Sequence, residues 1–586
     1  MNPLRIIIIF LAGGTSLAFS QIKEERLILN KKREPEVKRI EKKKTSVVVE
    51  KNFPPEEKSN ETLKYQIVNR PPVPDFKPST IQGTDVSPDF SENYQKNYFR
   101  IGYGNYNKIL TDGAISGILN DKVELGAVVH YLSTSGLKKD YAWDSHQRYG
   151  NVSAFLNYFG DFGKLNVDAG ATLNNYNYYG ISGFTSDLVK NIEQNYSKFH
   201  INGYYDFYSD NYLDNVKVKS SVLKDKLNSS ESQADIKLNL SKLNLSLGQS
   251  ISINAYLGFG ANTIVTEFDA LDHHKYNTFS GSLEPKLQFF SGRSYLSLGS
   301  DVVFYNNKRS SLLMSQTNQQ KVYWFPKAEI LFSASDELQF FGGIDGGLKL
   351  NTYTDLLSEN PYLTPDLELN PTRTKYHFYF GIKGDYDQFI KYNVRAGFGK
   401  ISDMLFFRSI GLINRNTDEN RLAYDYNNAF STYYRDASLS EIEGQISVFP
   451  LENMILNGEL KFQQYLLNDK EKPYYRPLIQ ATINAQYTLL DKKLKLGFTG
   501  IFVSDRTTNA FEVSQENFYP NDYISTENTN KKIGGYADLN LSASYRITKN
   551  ISIFAIGNNL LNTKYQTFNC YKVLGAQVLG GIKLTF

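Results

Sequence analysis

The chain ends GAQVLGGIKLTF, residues 575–586. Val578, Gly580, Ile582, Leu584 and Phe586 fall on one face, and Leu579, Gly581, Lys583 and Thr585 on the other. Side chains alternate across a strand with period 2, so this is a β-strand with one apolar face and one mostly small or polar face. Left unpaired at a terminus, such a strand is an aggregation hazard in water. The hazard disappears if the strand closes a cylinder and its apolar face meets lipid.

The other end of the chain supports that reading. MNPLRIIIIFLAGGTSLAFSQ has a basic start at Arg5, an apolar run over 6–12, and small residues Ala18 and Ser20 before Gln21. This pattern predicts a signal peptide over residues 1–20, too short to be a membrane span. The only cysteine, Cys570, excludes an internal disulfide and a cysteine metal cage. Hydrophobic content of 41% and a mean hydropathy of −0.41 exclude a bundle of transmembrane helices. Residues 21–96 are dense in both charges, with lysine and arginine in excess, and then rich in proline (NRPPVPDFKPS). Few large apolar residues are available there to offset ordering entropy, so a disordered tail is expected. Behind a signal peptide these lysines read as a solvated periplasmic tail and not as a nucleic-acid site.

From residue 97 the texture changes. Segments of about a dozen residues alternate in polarity, as in KVELGAVVHYLS (122–133), KLNVDAGATLNN (164–175), KLKLGFTGIFVS (493–504) and ADLNLSASYRI (537–547). In the last, Leu539, Leu541, Ala543 and Tyr545 share one face, while Asn540, Ser542, Ser544 and Arg546 share the other. Tight connections such as 120–121, 160–163, 291–293 and 548–550 use Asn, Asp, Gly and Ser, which tolerate sharp turns. Longer polar connections such as 181–193, 269–276, 352–372 and 506–532 lie between them. About ten short turns and about eleven longer connections give roughly 22 strands. The expected fold is therefore all-β: a transmembrane antiparallel barrel over 97–586, its last strand paired with the first near 98–105. Lys583, Arg546 and Asp538 are expected to face a hydrated lumen.

Several stretches resemble a known family. ISIFAIGNNLLNTKYQTF followed by GAQVLGGIKLTF is similar to the closing strands of TonB-dependent receptors, importers of the Gram-negative outer membrane. Asn559, Leu560 and Tyr565 match the family's positions after the penultimate strand. Gly575, Gly581 and Phe586 match its closing strand, with Ala576 standing where the family usually has arginine. NPYLTPDLELNPTRTKYHFYFG (360–381) resembles its approach to a mid-barrel strand, and the tyrosine- and asparagine-rich style is similar to receptors of the Bacteroidota. The resemblance implies an outer-membrane transport barrel that meets lipid and the barrel assembly machinery. It also departs from the family, because residues 21–96 are too few and too charged for the folded plug that such receptors carry. A plug-less relative is expected, its lumen occluded by its tail, by inward loops or by a partner. The alternative is a non-transporting envelope scaffold anchored by the barrel, with a periplasmic or surface partner.

Other motifs carry less. DALDHHKY places Asp269, Asp272, His273 and His274 in one external loop, where carboxylates and imidazoles are weak candidates for a divalent metal. DLLSENPYLTPDLE (355–368) is acidic, but its spacing is irregular for calcium. LGFG (257–260) lacks the strand-to-helix context of a phosphate loop and reads as a bend in a strand. Six histidines and no ordered serine–histidine–carboxylate set give no case for an enzyme, and no cofactor is expected.

Overall fold

The computed structural model describes residues 97–586, apart from 138–139, 185–188, 209–211, 249–250, 271–272, 312–315, 336, 388, 413–420, 470 and 516–522. The expected signal peptide and tail lie outside the described residues.

The wall begins with β1 (Tyr98–Gly104), β2 (Lys108–Asn120), β3 (Val123–Thr134), β4 (Gln147–Phe159), β5 (Gly163–Asn177), β6 (Glu193–Phe207) and β7 (Leu213–Asp225). It rises through β8 (Ser230–Leu247), β9 (Ile251–Phe268), β10 (His274–Ser291), β11 (Ser294–Ser310), β12 (Thr317–Ser333) and β13 (Gln339–Lys349). The tallest part follows, with β14 (Thr372–Tyr386), β15 (Ile390–Ser409) and β16 (Phe430–Leu451), and then β17 (Met454–Leu467), β18 (Ile479–Leu489) and β19 (Leu494–Val503). After an excursion through β20 (Arg506–Gln515) and β21 (Tyr523–Ile533), β22 (Tyr536–Arg546) and β23 (Ile551–Asn558) rejoin the wall. A small ribbon, β24 (Gln566–Phe568) and β25 (Tyr571–Lys572), precedes the closing strand β26 (Gln577–Thr585).

Twenty-two of these strands form one sheet, and β1 pairs with β26, so the sheet is a closed antiparallel barrel. The register sets Ile101 opposite Ile582 and Gly102 opposite Gly581. Every wall strand has a paired neighbour on both sides, which is the condition for standing in lipid, although β12 meets β13 only over Ala328–Ser333. A strand spacing of about 4.8 Å and a tilt of about 40° make a cylinder roughly 40 Å across.

The two faces separate as the alternation requires. Val578, Ile582, Leu584 and Phe586 are exposed on the outside, with Gly580. On β22, Leu541 and Tyr545 are exposed outward, whereas Asp538, Asn540 and Ser542 are buried on the inner face. Phe378, Phe380, Trp324, Ile330, Phe498 and Phe502 continue the outer apolar band around the ring. In water such a band would drive aggregation; in a bilayer it is the solvated surface.

Strand length is uneven. β16 has 22 residues and β1 only 7, or about 70 Å against about 23 Å at 3.3 Å per residue. Only about 25–30 Å of wall is needed to cross hydrocarbon. The surplus rises at the long-loop rim, where the ends of β7, β9, β15 and β16 meet the loops. At the other rim the turns are tight; 490–492, for instance, turns through three successive residues with positive φ, Leu490, Asp491 and Lys492.

Two expectations need correction. Residues 506–532 are not a plain polar loop, because much of the segment forms the β20–β21 hairpin. TNAFEV (508–513) opposite ISTENTN (524–530) alternates too weakly to be read as strands without the partner. LGFG is not a bend either: the pairing of β9 with β10 runs unbroken through 257–260. Its glycines instead make room for neighbours on β10, since a Cβ at Gly260 would strike the Ser282 hydroxyl.

The seam yields a testable contrast. A Cβ at Gly581 would collide with the Ile101 carbonyl oxygen and the Phe554 ring, whereas at Gly580 the nearest atom is 3.7 Å away. Gly581→Val is expected to cost about 1–3 kcal/mol or more and to reduce the heat-modifiable folded band in gels, with Gly580→Val close to wild type. Equal folded fractions for the two variants would refute this account of the seam.

Candidate functional site

At the long-loop rim, loops from several parts of the wall pack against one another over the mouth. The 350–371 connection carries a short helix, α1 (Tyr353–Glu359), whose first turn is held by a wall residue. Glu231 on β8 accepts the backbone N–H of Tyr353 at 2.6 Å and of Thr354 at 2.9 Å, while the Thr352 hydroxyl caps Asp355. These are the orphan donors of a helix start, so an inward-facing carboxylate fixes where the loop enters. Tyr353, Leu356, Leu357, Leu363, Leu367 and Leu369 then pack against Leu223, Phe268, Tyr276, Phe407, Phe430, Phe568 and Tyr571 in one apolar cluster.

Tyrosine hydroxyls tie this cluster to backbone carbonyls. Tyr176 donates to Pro361 O at 2.7 Å, Tyr178 to Leu363 O at 2.7 Å and Tyr276 to Leu367 O at 3.1 Å. Tyr362 stacks on Tyr571 with ring centroids 3.5 Å apart. Burial pushes the Tyr178, Tyr362 and Tyr571 hydroxyls well above the usual tyrosine range, so they remain protonated donors. Burial also raises the Asp425 carboxyl, with the Leu422 N–H and Arg421 pulling the other way.

Asn428 joins opposite walls. Its amide nitrogen donates to Tyr178 O at 2.7 Å and Ala423 O at 2.9 Å, and its amide oxygen accepts the Tyr426 N–H at 3.2 Å. Its backbone carbonyl accepts the Tyr571 hydroxyl at 2.5 Å. Tyr178 follows β5 and Asn428 precedes β16, the fifth and sixteenth strands of a 22-strand ring, so the two sides lie half a turn apart. Tyr571 comes from the connection between β23 and β26. Three loops from well-separated parts of the wall therefore meet at one residue, two through its side chain and the third through its backbone carbonyl. The β20–β21 hairpin leans in as well, with Asn509 bonded to Ser409 and Asn427 donating to Phe511 O.

Beneath these loops lies a cavity of about 880 Å³, roofed by Tyr179, Pro361 and Tyr362 and walled by β2–β6 and β17–β23. A second, of about 610 Å³, faces β7–β14. The walls differ in chemistry. The β8–β17 side carries ion pairs: Lys237 with Glu284 at 2.8 Å, Lys327 with Asp301, and Arg395 with Glu443 at 2.8 Å. The β18–β22 side carries amides and hydroxyls.

The metal candidates divide. His273 pairs with Asp269 at 3.0 Å, His274 turns to Asp366 at 2.6 Å, and Asp272 lies outside the described residues. The acidic 355–368 segment is likewise dispersed, with Glu359 facing Arg476 and Glu368 accepting from Asn370. Among the described residues no three metal-ligating side chains converge. The family-like residues organise the last connection. Asn559 donates to Thr563 O and Leu574 O, both at 2.8 Å, and Leu560 packs over Gly557. Tyr565 donates to Asp538 at 2.8 Å and stacks on Tyr536 at 3.7 Å, while Gly575 leaves room for the Asn562 amide. Lys583, Arg546 and Asp538 sit on inward strand positions, Asp538 buried and Arg546 exposed at the rim.

Sequence reading missed Asn428 and the tyrosines that meet it. The available signal was aromatic density in the supposed loops, NYNYYGI (175–181), AYDYNNAF (423–430) and FNCYKV (568–573), which solvated loops do not need.

No family model and no curated protein matches the chain. Solved structures do. The ferric-catecholate import receptor Fiu of E. coli K12, in its closed form, aligns with a TM-score of 0.61 at 10% identity, covering 84% of this chain and 82% of that one. The siderophore receptor PiuA from Acinetobacter baumannii gives 0.60 at 9%, with the same coverage. The copper transporter OprC gives 0.58 at 12%, again over 84% and 82%. At such identities the likeness is one of fold, and it agrees with the motif of the closing strands: the chain has the 22-stranded barrel fold of TonB-dependent receptors.

Proposed function

We propose that the protein is an outer-membrane transport barrel whose passage is shut at the outer mouth by its own loops and opened by a ligand or partner. The observation that carries this reading is the Asn428 junction, which links loops from opposite walls across the lumen. The import receptors with the same fold support transport as the barrel's task. The short-turn rim and residues 21–96 are assigned to the periplasm, following the construction of bacterial barrels with short periplasmic turns. Among the three occluders that the sequence leaves open, the loops are favoured. They supply a buried apolar core where polar tips would be expected, including Tyr353, Leu363, Phe430 and Tyr571 at 0–2% exposure. A turn of two to five residues reaches too little to span a lumen roughly 40 Å across, so the lower rim has no comparable closure from its turns.

One observation favours a second reading. Each buried aromatic or leucine of the lid contributes about 1.5–3 kcal/mol, so spontaneous opening of the whole lid is rare. A barrel sealed that firmly would also serve as a non-transporting scaffold for an envelope partner. No chemistry of an enzyme is invoked in either case.

Planar-bilayer recording separates the readings. The wild-type barrel is expected to be silent, and replacing 353–369 by a short Gly/Ser linker is expected to give large, steady currents. Large currents from the wild type would overturn the closed mouth; silence from both proteins would favour the scaffold. Asn428→Ala tests the junction itself. It strands the carbonyls of Tyr178 and Ala423, at about 1–3 kcal/mol for each unsatisfied group. Hydrogen exchange is expected to rise in 178–181 and 421–429 while the β2–β5 ladder is unchanged, and unaltered exchange in those loops would count against the junction.

A further inference from the structure

The ladder between β12 and β13 is short. It holds six rungs, from Ser333 opposite Gln339 to Ala328 opposite Ile344. At about 3.3 Å per residue and a tilt of about 40°, these rungs cover about 15 Å of height above the tight turn, against about 25–30 Å of hydrocarbon. Both strands run on past the last rung. Thr317–Lys327 of β12 pairs with β11 alone, and Asp345–Lys349 of β13 with β14 alone. Trp324 and Val322, on the outward positions of this part of β12, are apolar and 65% and 68% exposed, so the seam without rungs lies within the lipid band.

The sequence encodes this open edge. Pro326 has no N–H to give a neighbouring strand, and proline in a sheet is confined to edges and bulges. On β13, GGIDGG (342–347) keeps the facing strand nearly bare, and nothing stands within 4 Å of where a Cβ on Gly347 would be. On the lumen side, side chains take the place of rungs. Phe325 is 2% exposed, its ring 3.1 Å from the position of a Cβ on Gly346, and the Arg373 guanidinium lies 5.2 Å over the Tyr323 ring.

Lys327, Ala328, Ile344, Asp345 and Gly346, at the top of the ladder, also line the cavity of about 610 Å³. Two charged groups lining that cavity form no ion pair among the described residues. Glu329 accepts the hydroxyls of Tyr295 and Tyr379, the latter at 2.8 Å, but meets no cation. Lys286 lies 4.3 Å over the Tyr256 ring and meets no carboxylate. Backbone groups without rungs cost several kcal/mol each in hydrocarbon unless a polar partner reaches them. Another strand suits the edge poorly, because Pro326 would break its ladder. A phospholipid supplies a polar head for the cavity and acyl chains for the band, and the two charges of a zwitterionic head complement Glu329 and Lys286.

We infer that the β12–β13 seam is a lateral binding site for a zwitterionic membrane phospholipid, its ammonium meeting Glu329, its phosphate meeting Lys286, and its acyl chains lying outward across Gly347. The inference goes beyond the closed mouth and does not depend on whether the barrel transports anything.

Native mass spectrometry of the full chain, released from vesicles of equal phosphatidylethanolamine and phosphatidylglycerol, tests it. The expected result is one retained phosphatidylethanolamine per barrel, several-fold above phosphatidylglycerol, which lacks the ammonium. Glu329→Gln and, separately, Lys286→Gln are expected to lower that retention several-fold with the heat-modifiable band intact. Gly347→Trp, which fills the seam, is expected to do the same. Gly444→Trp, on the outward face of β16 where the nearest atom to an added Cβ is 3.9 Å away, is expected to leave retention unchanged. Equal retention of the two lipids, unchanged retention in both charge variants, or equal losses from Gly347→Trp and Gly444→Trp would overturn the inference. Currents report on the mouth and retained lipid on the seam, so either conclusion can fail alone.

Discussion

The pairing of Tyr98–Gly104 with Gln577–Thr585 is the constraint on which the rest depends. In hydrocarbon an unpaired N–H or C=O costs several kcal/mol, so the sheet must close or leave the membrane. Closure brings the first and last described strands together, and it accounts for the crowding of glycine at the seam. Gly102, Gly104 and Gly581 let two backbones and the Phe554 and Leu579 side chains share one narrow space. Once the ring is closed, strand number fixes its width, and width creates the second problem, a lumen far larger than wall side chains can fill.

The chain meets that second problem at one end. The long strands β15 and β16 lift their ends above the membrane band, and the loops fold inward between them. Wall and lid are held by different forces. The wall is a continuous backbone ladder, indifferent to sequence except through face and turn. The lid is a side-chain structure, with tyrosine hydroxyls on carbonyls, one asparagine at the junction, and a helix start set on Glu231. Changes in the lid can therefore alter passage without unravelling the wall.

That difference also explains how far the sequence could be read. Period-2 alternation in ADLNLSASYRI and the turns at 120–121 or 548–550 are local signals, and they gave strand number, closure and the outward face of Val578, Ile582, Leu584 and Phe586. The lid's local signal, aromatic density in its loops, speaks for burial but not for partners. Tyr178 and Asn428 are 250 residues apart and Asn428 and Tyr571 are 143 apart, and nothing in their neighbourhoods announces that they meet. The paired histidines of 269–274 mislead for the same reason: adjacency in sequence suggested one site, yet His274 belongs to a β-strand and turns to Asp366 of a distant loop. Family-like positions such as Asn559 and Tyr565 were visible, but their roles were not, because they depend on carbonyls and a carboxylate supplied by β22 and the last connection.

The two inner walls follow from the same physics. Charges on the β8–β17 side pair with one another, but Asn262 and Asn306 there each keep a buried amide oxygen without a donor. On the β18–β22 side Asp538 likewise retains a carboxylate oxygen without a partner. Water can satisfy such groups, at the cost of ordering each molecule. Both walls therefore suit a hydrated lumen, and it is the side-chain lid at the long-loop rim that differs in kind from them.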